Sequence, residues 1–121
     1  MTFTTKKFDL KERSYDFSLK MIKMIDTLPK DYSSEVMGRQ VMRSATSIGA
    51  NIAEAQASPS RKDFTIFISH ALKSANETKY WLRLLRDSKK ATSEMDHLIN
   101  ECDELCRILG SSLVTLRNGN S

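Results

Sequence analysis

The sequence predicts an all-α fold, an antiparallel up-down-up-down four-helix bundle that forms a single domain over residues 1–121. Three observations predict it. Apolar residues recur at helical spacing in four segments, the breaks between these segments are short, and no stretch alternates like a half-buried strand. Because short connections make successive helices antiparallel neighbours, we expect a bundle with helices over about residues 10–28, 34–57, 60–89 and 93–116.

The first two helices have clear starts and ends. Asp9 followed by Glu12 has the spacing of a capping box, and Pro29 closes the first helix. Ser33 or Ser34 is expected to open the second helix. The expected inner faces are Leu10, Phe17, Met21, Met24, Ile25 and Leu28 in the first helix, and Met37, Val41, Ala45, Ile48, Ile52 and Ala55 in the second.

The third and fourth helices carry two matching apolar rows. Ser60 is placed to cap the third helix. In antiparallel order the rows pair Leu82 with Cys102 and Leu85 with Leu98. Small residues then face leucines, which argues against the third possibility, a small-molecule pocket in the bundle. The rows are Phe64, Ile68, Ala71, Ala75, Thr78, Leu82 and Leu85, and Leu98, Cys102, Leu105, Leu109, Leu113 and Leu116.

Composition indicates a globular cytoplasmic protein. The 121 residues are 28% charged with a net charge of +4. No apolar run approaches the roughly 20 residues that span a bilayer, and the start of the chain lacks the apolar centre of a signal peptide. Cys102 and Cys106 lie four residues apart on one helix, which indicates packed free thiols and no disulfide framework.

Two apolar clusters lie away from the expected core. The first helix carries one and the third helix the other, and each cluster includes a tyrosine. A self-complementary or ring-forming contact would bury them, so we predict a homo-oligomer. The alternative is a bundle whose core stripe is wide. The candidate interface residues are Tyr15, Leu19, Ile22, Ile66, Tyr80 and Leu84.

Positive charge is concentrated in residues 58–90, which hold eight lysines and arginines against three acids. Lys79, Arg83, Arg86 and Lys90 follow one another at spacings of four, three and four, so they form a ladder along one helix face. Arg39 and Arg43 make a smaller pair on the second helix. Such a surface can bind the phosphates of a nucleic acid.

The alternative interpretation of the ladder is structural. The predicted register also places acids of the fourth helix beside it, and exposed pairs of this kind contribute well under about 1 kcal/mol each. In that case the ladder is neutralised within the fold. The expected pairs are Glu94 with Lys90, Glu101 with Arg83, and Glu104 with Lys79.

The sequence favours a protein that is not an enzyme and has no cofactor. His70 and His97 stand in no usual zinc arrangement with the cysteines, and no phosphate-binding loop or nucleophile elbow is encoded. Glu54 and Glu77 could share an acid/base site where the second and third helices pack. Polar residues at such a junction more often satisfy one another and fix helix pairing. The set considered is Ser47, Asn51, Glu54, Asn76 and Glu77.

The stretch from Met42 to Leu85 resembles the bacterial four-helix-bundle proteins encoded in intervening sequences of 23S ribosomal RNA genes. The family pattern R-x-A-x-S-I-x-x-N-I-A-E-G is followed by a basic linker and F-x-x-F/Y-x-x-x-A-x-x-S-x-x-E-x-x-x-x-L. The chain departs from the usual pattern at Gly49 and Ala55. The matching residues are Arg43, Ala45, Ser47, Ile48, Asn51, Ile52, Ala53 and Glu54, then Phe64, Phe67, Ala71, Ser74, Glu77 and Leu82.

The resemblance implies an antiparallel bundle assembled as a homopentameric ring. A similar assembly is found in the accessory variability protein of diversity-generating retroelements, a basic barrel that works with a reverse transcriptase. Members of the family carry a ribosomal-protein name, and association with RNA is the usual supposition. The leading hypothesis is therefore a non-enzymatic oligomer that binds the phosphates of RNA or DNA. The six cations named above are the residues expected to contact them. The runner-up is a protein-interaction scaffold that binds another protein and no nucleic acid.

Overall fold

Four helices make up the fold in a computed structural model that describes residues 9–90 and 93–119. They are α1 (Leu10–Asp26), α2 (Tyr32–Gln56), α3 (Arg61–Leu85) and α4 (Ser93–Arg117), and a π-helical segment, Arg86–Lys90, follows α3. The described residues contain no strand. The first eight residues, on which the expectation about a signal peptide rests, lie outside the described part of the chain, as does the side chain of Lys90.

Side chains cap the starts of the first three helices. The carboxylate of Asp9 accepts a hydrogen bond from the Glu12 backbone N–H, and Ser60 Oγ accepts one from the Asp63 N–H at 3.1 Å, as predicted. The start of α2 was predicted wrongly at Ser33 or Ser34. Asp31 is the cap and accepts from the Ser34 N–H at 2.9 Å, so α2 begins at Tyr32, one or two residues earlier than expected.

Two helix ends also differ from the prediction. α1 ends at Asp26, because the Thr27 and Leu28 N–H groups bond the carbonyls of Met24 and Ile25 in a tighter turn ahead of Pro29. The predicted third helix continues past Leu85 as a π-helical turn. A single π-helical turn barely changes the spacing of apolar residues, so the sequence does not indicate it.

One apolar core joins the four helices, and both predicted rows of α3 and α4 are buried. α3 packs most extensively on α2 and then on α4, while α1 packs on α2 and more lightly on α4. Ile25 and Leu28, predicted as core residues, are partly buried at its edge. Among the described helices, none combines the length and apolar character needed to cross a membrane.

The ion pairs between α3 and α4 lie within one or two residues of the predicted offset, since Lys79 meets Asp103 and Arg86 meets Asp96. One contact was not predicted: Cys102 Sγ donates to the Ala75 carbonyl oxygen at 3.3 Å. Met95, which was left out of the predicted row, is fully buried.

Hydroxyl groups connect α2 to α3 inside this core. Thr78 Oγ1 lies 2.9 Å from Ser44 Oγ, and both residues are fully buried. One turn away, Ser74 Oγ donates to Ser47 Oγ at 3.0 Å. Because buried hydroxyls are costly without a partner, these pairs favour one alignment of the two helices.

Besides the shared core, an ion pair and a close approach join α1 to its neighbours. The Arg13 guanidinium donates to both carboxylate oxygens of Glu101 on α4, at 2.7 and 3.0 Å. The hydrogen bond to Glu101 raises the pKa of Arg13. On the α2 side, a Cβ added to Gly49 would lie 3.4 Å from Ser14 Oγ, so the glycine is where the two helices pass closely.

We expect Thr78→Val to lower the free energy of unfolding by about 1–2 kcal/mol, because it keeps the shape of the side chain and leaves the buried Ser44 hydroxyl without this partner. Urea unfolding measures the change. Ser44→Ala combined with Thr78→Val should lose less than the sum of the two single changes. Thr65→Val is the control, since the Thr65 hydroxyl bonds Arg61 O within its own helix. Equal losses for Thr65→Val and Thr78→Val would contradict the role given to the buried pair.

Candidate nucleic-acid interface

The two arginines of α2 are largely exposed. Arg39 has 73% of its side chain accessible and lies 3.9 Å from Glu35 on the same helix. Arg43 is 59% accessible, and its guanidinium contacts Glu77 of α3 and donates to Gln40 at 3.0 Å. Both guanidinium groups are therefore exposed to solvent, and that of Arg43 also bridges α2 and α3.

Lys79, the first cation of the predicted ladder, is engaged with α4. Its Nζ donates to Asp103 Oδ1 at 2.9 Å, and Arg107 donates to the other carboxylate oxygen at 2.6 Å. The hydrogen bond from Lys79 is the main cause that lowers the pKa of Asp103, and the same bond raises the pKa of Lys79. This lysine therefore takes part in the contact between α3 and α4.

Arg83 and Arg86 differ in their surroundings. Arg86 donates to Asp87 at 2.9 Å and lies 3.6 Å from Asp96 of α4, and its hydrogen bond to Asp87 raises its pKa. Arg83 is exposed and forms no ion pair within residues 9–90 and 93–119. Its positive charge adds to that of Arg86 in lowering the pKa of Asp87.

The predicted acidic partners of the ladder were wrong in detail. Glu101, predicted to pair with Arg83, binds Arg13 of α1. The partner of Lys79 is Asp103, while Glu104, predicted to lie near Lys79, is 3.7 Å from Arg107. Several acidic side chains lie within reach of each long basic side chain. Arg13 of α1 competes for Glu101, and a pairing of α3 with α4 alone does not include it. The predicted pair of Glu94 with Lys90 lies outside the described side chains.

The polar junction of α2 and α3 is a set of hydrogen bonds between side chains. Asn51 donates to the Ser47 carbonyl at 2.9 Å, and Ser47 meets Ser74 across the helices. Glu77 accepts from Trp81 Nε1 at 3.1 Å as well as from Arg43. Glu54 is exposed at the other end of the junction. Glu77 is thus engaged by an arginine and an indole.

The predicted apolar clusters are mostly exposed. Tyr15 is 67% accessible and Tyr80 57%, and Leu19, Ile66 and Leu84 are exposed as well, whereas Ile22 is half-buried. The cluster on α1 borders a groove of about 730 Å³ whose other wall is small residues of α2. Three further exposed apolar residues were not in the predicted clusters: Tyr32 and Val36, which lie one turn apart on α2, and Val114 on α4.

Comparisons with known proteins agree with the motif at the junction. The sequence profile of 23S rRNA-intervening sequence proteins matches residues 6–111. The chain belongs to this family. A crystal structure of a protein of unknown function from the S23 ribosomal protein family of Bacteroides thetaiotaomicron is 38% identical, with a TM-score of 0.82. The match covers 92% of this chain and all of that one. No curated protein matches significantly.

The family motif falls on the contact between α2 and α3. Ile48 and Ile52 are fully buried, whereas Ala53 is half-buried beside the groove on α1. Ser47, Asn51 and Glu77 form the polar junction described above. The motif therefore encodes how two helices pack more than a reactive site. Within the described ranges, no three histidine, cysteine or acidic side chains are grouped so that they could hold a metal ion.

The lowered pKa of Asp103 predicts a pH dependence of stability. A carboxyl whose pKa is lower in the folded chain than in the unfolded chain stabilises the fold at higher pH, and this contribution is lost as the pH falls through the folded-state value. Asp103→Asn should therefore reduce the loss of stability between neutral pH and about pH 3. Urea unfolding at both pH values measures the difference. Asp16→Asn is the control, because Asp16 pairs with Lys20 on its own exposed helix face. Parallel pH profiles for wild type and Asp103→Asn would contradict the prediction.

Proposed function

We propose that this protein is a non-enzymatic homo-oligomer that binds the phosphates of RNA or DNA. The observation that supports it most is the state of the arginines: Arg83 is exposed without an ion pair among the described residues, and Arg39 and Arg43 keep most of their surface accessible. A guanidinium that is exposed is available to a phosphate, and loosely paired ones exchange partners at little cost.

The candidate cations lie toward one end of the α2–α3 pair, on two sides of α3, since Arg43 meets Glu77 beside α2 whereas Lys79 and Arg86 meet acids of α4. Arg39 and Arg43 lie in the first half of α2, and the others lie in the last part of α3 and the segment after it. Because Arg43 contacts Glu77, these two stretches are side by side. A cluster of positive charge in one place attracts a polyanion more strongly than the same charges spread over the surface. The six are Arg39, Arg43, Lys79, Arg83, Arg86 and Lys90.

The proposal includes an up-down-up-down bundle. Lys79 and Arg86 lie seven residues apart on the chain, and their partners Asp103 and Asp96 lie seven apart in the reverse order. That reversal supports an antiparallel arrangement of α3 and α4. The short connection between α1 and α2 favours the same relation there.

We further propose that copies assemble into a ring, with five subunits as the resemblance implies. The exposed clusters around Tyr15 and Tyr80 and the groove between α1 and α2 support a contact between copies. Two different surfaces on one chain produce a head-to-tail contact, which closes into a ring when the rotation permits. A ring would repeat the cationic surface around its axis and strengthen the total field.

A protein-interaction scaffold is the second candidate. It is favoured by the pairing of Lys79 and Arg86 with acids of α4, which removes two cations from the ladder, and by the exposed apolar side chains. In this case the same apolar surfaces would bind a partner protein and there would be no affinity for nucleic acid.

Charge removal separates the two candidates. We expect Arg39→Gln with Arg83→Gln to weaken the binding of a labelled structured RNA and to lower the slope of log affinity against log salt by about 1 for each lost phosphate contact. The control is Lys20→Gln with Lys23→Gln on α1, which removes the same amount of charge. It is matched to the test variant because Lys20 pairs with Asp16 one turn away, as Arg39 pairs with Glu35. Fluorescence anisotropy between about 50 and 200 mM salt measures both. No affinity at low salt, or equal losses in the two variants, would reject the nucleic-acid hypothesis.

The assembly has its own test. We expect light scattering at micromolar concentration to report a mass of several chains, and Tyr15→Asp with Leu19→Asp to reduce it to that of one chain, because a charge in the apolar contact is left unpaired. Val114→Asp is the control, since Val114 is 57% accessible on α4 and belongs to neither cluster. A monomeric wild type would remove the argument for a ring.

A further inference from the structure

Two thiols lie one turn apart on the side of α4 that meets α3. Cys102 is fully buried, and its Sγ–H donates to the Ala75 carbonyl of α3. Cys106 is half-buried and packs at the edge of the core. Both are free cysteines, and they are the only two in the chain. The pair therefore combines one anchored thiol with one that is partly accessible.

Charged groups surround the pair on one side. Asp103, which lies between the two cysteines in the sequence, holds Lys79 Nζ of α3 at 2.9 Å and Arg107 of α4 at 2.6 Å. The interaction with the Cys102 sulfur, followed by the charge of Lys79, lowers the pKa of Cys106, whereas burial and Asp103 oppose this. The same interaction, together with burial, raises the pKa of Cys102. The proton is thus lost first from Cys106, the more accessible thiol.

Space is available next to Cys106. Gly110 follows it by one turn on the same side of α4, and a Cβ added there would meet no atom within 4 Å. A small reagent can therefore approach beside the thiol without displacing a side chain at that position. Reactive cysteines in proteins are typically partly accessible and lie near a cation, as this one does.

We propose that Cys106 and Cys102 form a peroxide-sensitive dithiol site. In the first step the Cys106 thiolate attacks a hydroperoxide, the O–O bond breaks, sulfur is oxidised to a sulfenic acid, and the alcohol or water leaves after taking up a proton. In the second step the Cys102 sulfur attacks the sulfenic sulfur, its proton leaves with the hydroxyl as water, and a disulfide forms.

The helix makes this disulfide a change of structure as well as of chemistry. Residues four apart in an α-helix have Cα atoms about 6 Å apart, which a disulfide can span, but their Cβ atoms must approach further than a regular turn permits. Oxidation would therefore distort one turn of α4 and withdraw Cys102 from Ala75. The contact between α3 and α4 would loosen beside Lys79, and reduction by a dithiol would restore it.

Mass spectrometry of the peroxide-treated protein tests the site. We expect the wild type to lose two hydrogens per chain and to keep joined the two peptides that cleavage beside Asp103 or Glu104 separates in the reduced protein. We expect Cys102→Ala to give instead a Cys106 sulfenic acid that dimedone traps. Lys79→Met should slow the loss of the Cys106 thiol at neutral pH by about threefold or more, because less of it is ionised. Arg107→Met is the control, since it also removes a cation from Asp103 and should react at the wild-type rate.

Three results would overturn the proposal. One is a Cys106 that reacts no faster in the folded wild type than in the urea-unfolded chain. Another is oxidation of the wild type to sulfinic acid or to disulfide between chains while Cys102 stays reduced. The third is an equal rate for Lys79→Met, Arg107→Met and wild type. Circular dichroism of each reduced variant confirms that the comparison is made between folded proteins.

Discussion

The position of α3 against α2 and α4 determines the rest of the molecule. Ala71, Ala75 and Thr78 are fully buried along its inner side, and their small size lets larger side chains of the neighbouring helices fill the space. Each leucine or isoleucine buried against them contributes about 1.5–3 kcal/mol. Once this side of α3 is inside, helical geometry leaves Tyr80 and Arg83 outside, so the surface that could meet a partner follows from the core.

The buried faces could be predicted because apolar periodicity reports which side of a helix meets its neighbours. Caps with a single good candidate, such as Ser60, were predicted as well. The individual polar partners across α3 and α4 were not, since they depend on how all four helices pack. The contact of Cys102 with Ala75 depends on the shape of the whole core, including Met95 and the helices on the other side. Apolar periodicity can be read from one helix, whereas the contacts of a given side chain depend on all the helices packed around it.

The candidate site was predictable as a set of charges and less so as a set of partners. The positive stripe of α3 follows from spacing alone. Within that stripe, Lys79 and Arg86 pair with acids of α4, whereas Arg83 forms no ion pair within the described residues. This difference depends on which acidic side chains lie within reach in the folded protein. Arg13 of α1 takes Glu101, and this competition is invisible until α1 is placed. Among the cations proposed to bind nucleic acid, Arg83 and Arg39 are consequently the ones that the fold leaves least engaged.

The most direct test compares hydrogen exchange of the protein with and without a structured RNA. It shows whether the exposed cationic surface of α2 and α3 is the surface that binds the RNA. Bound phosphates should slow exchange in the stretches that contain Arg39, Arg43 and Arg83, and leave α1 and the second half of α4 unchanged. Slowed exchange confined to α1 or to the end of α4, or no change at an RNA concentration that saturates binding, would contradict the account.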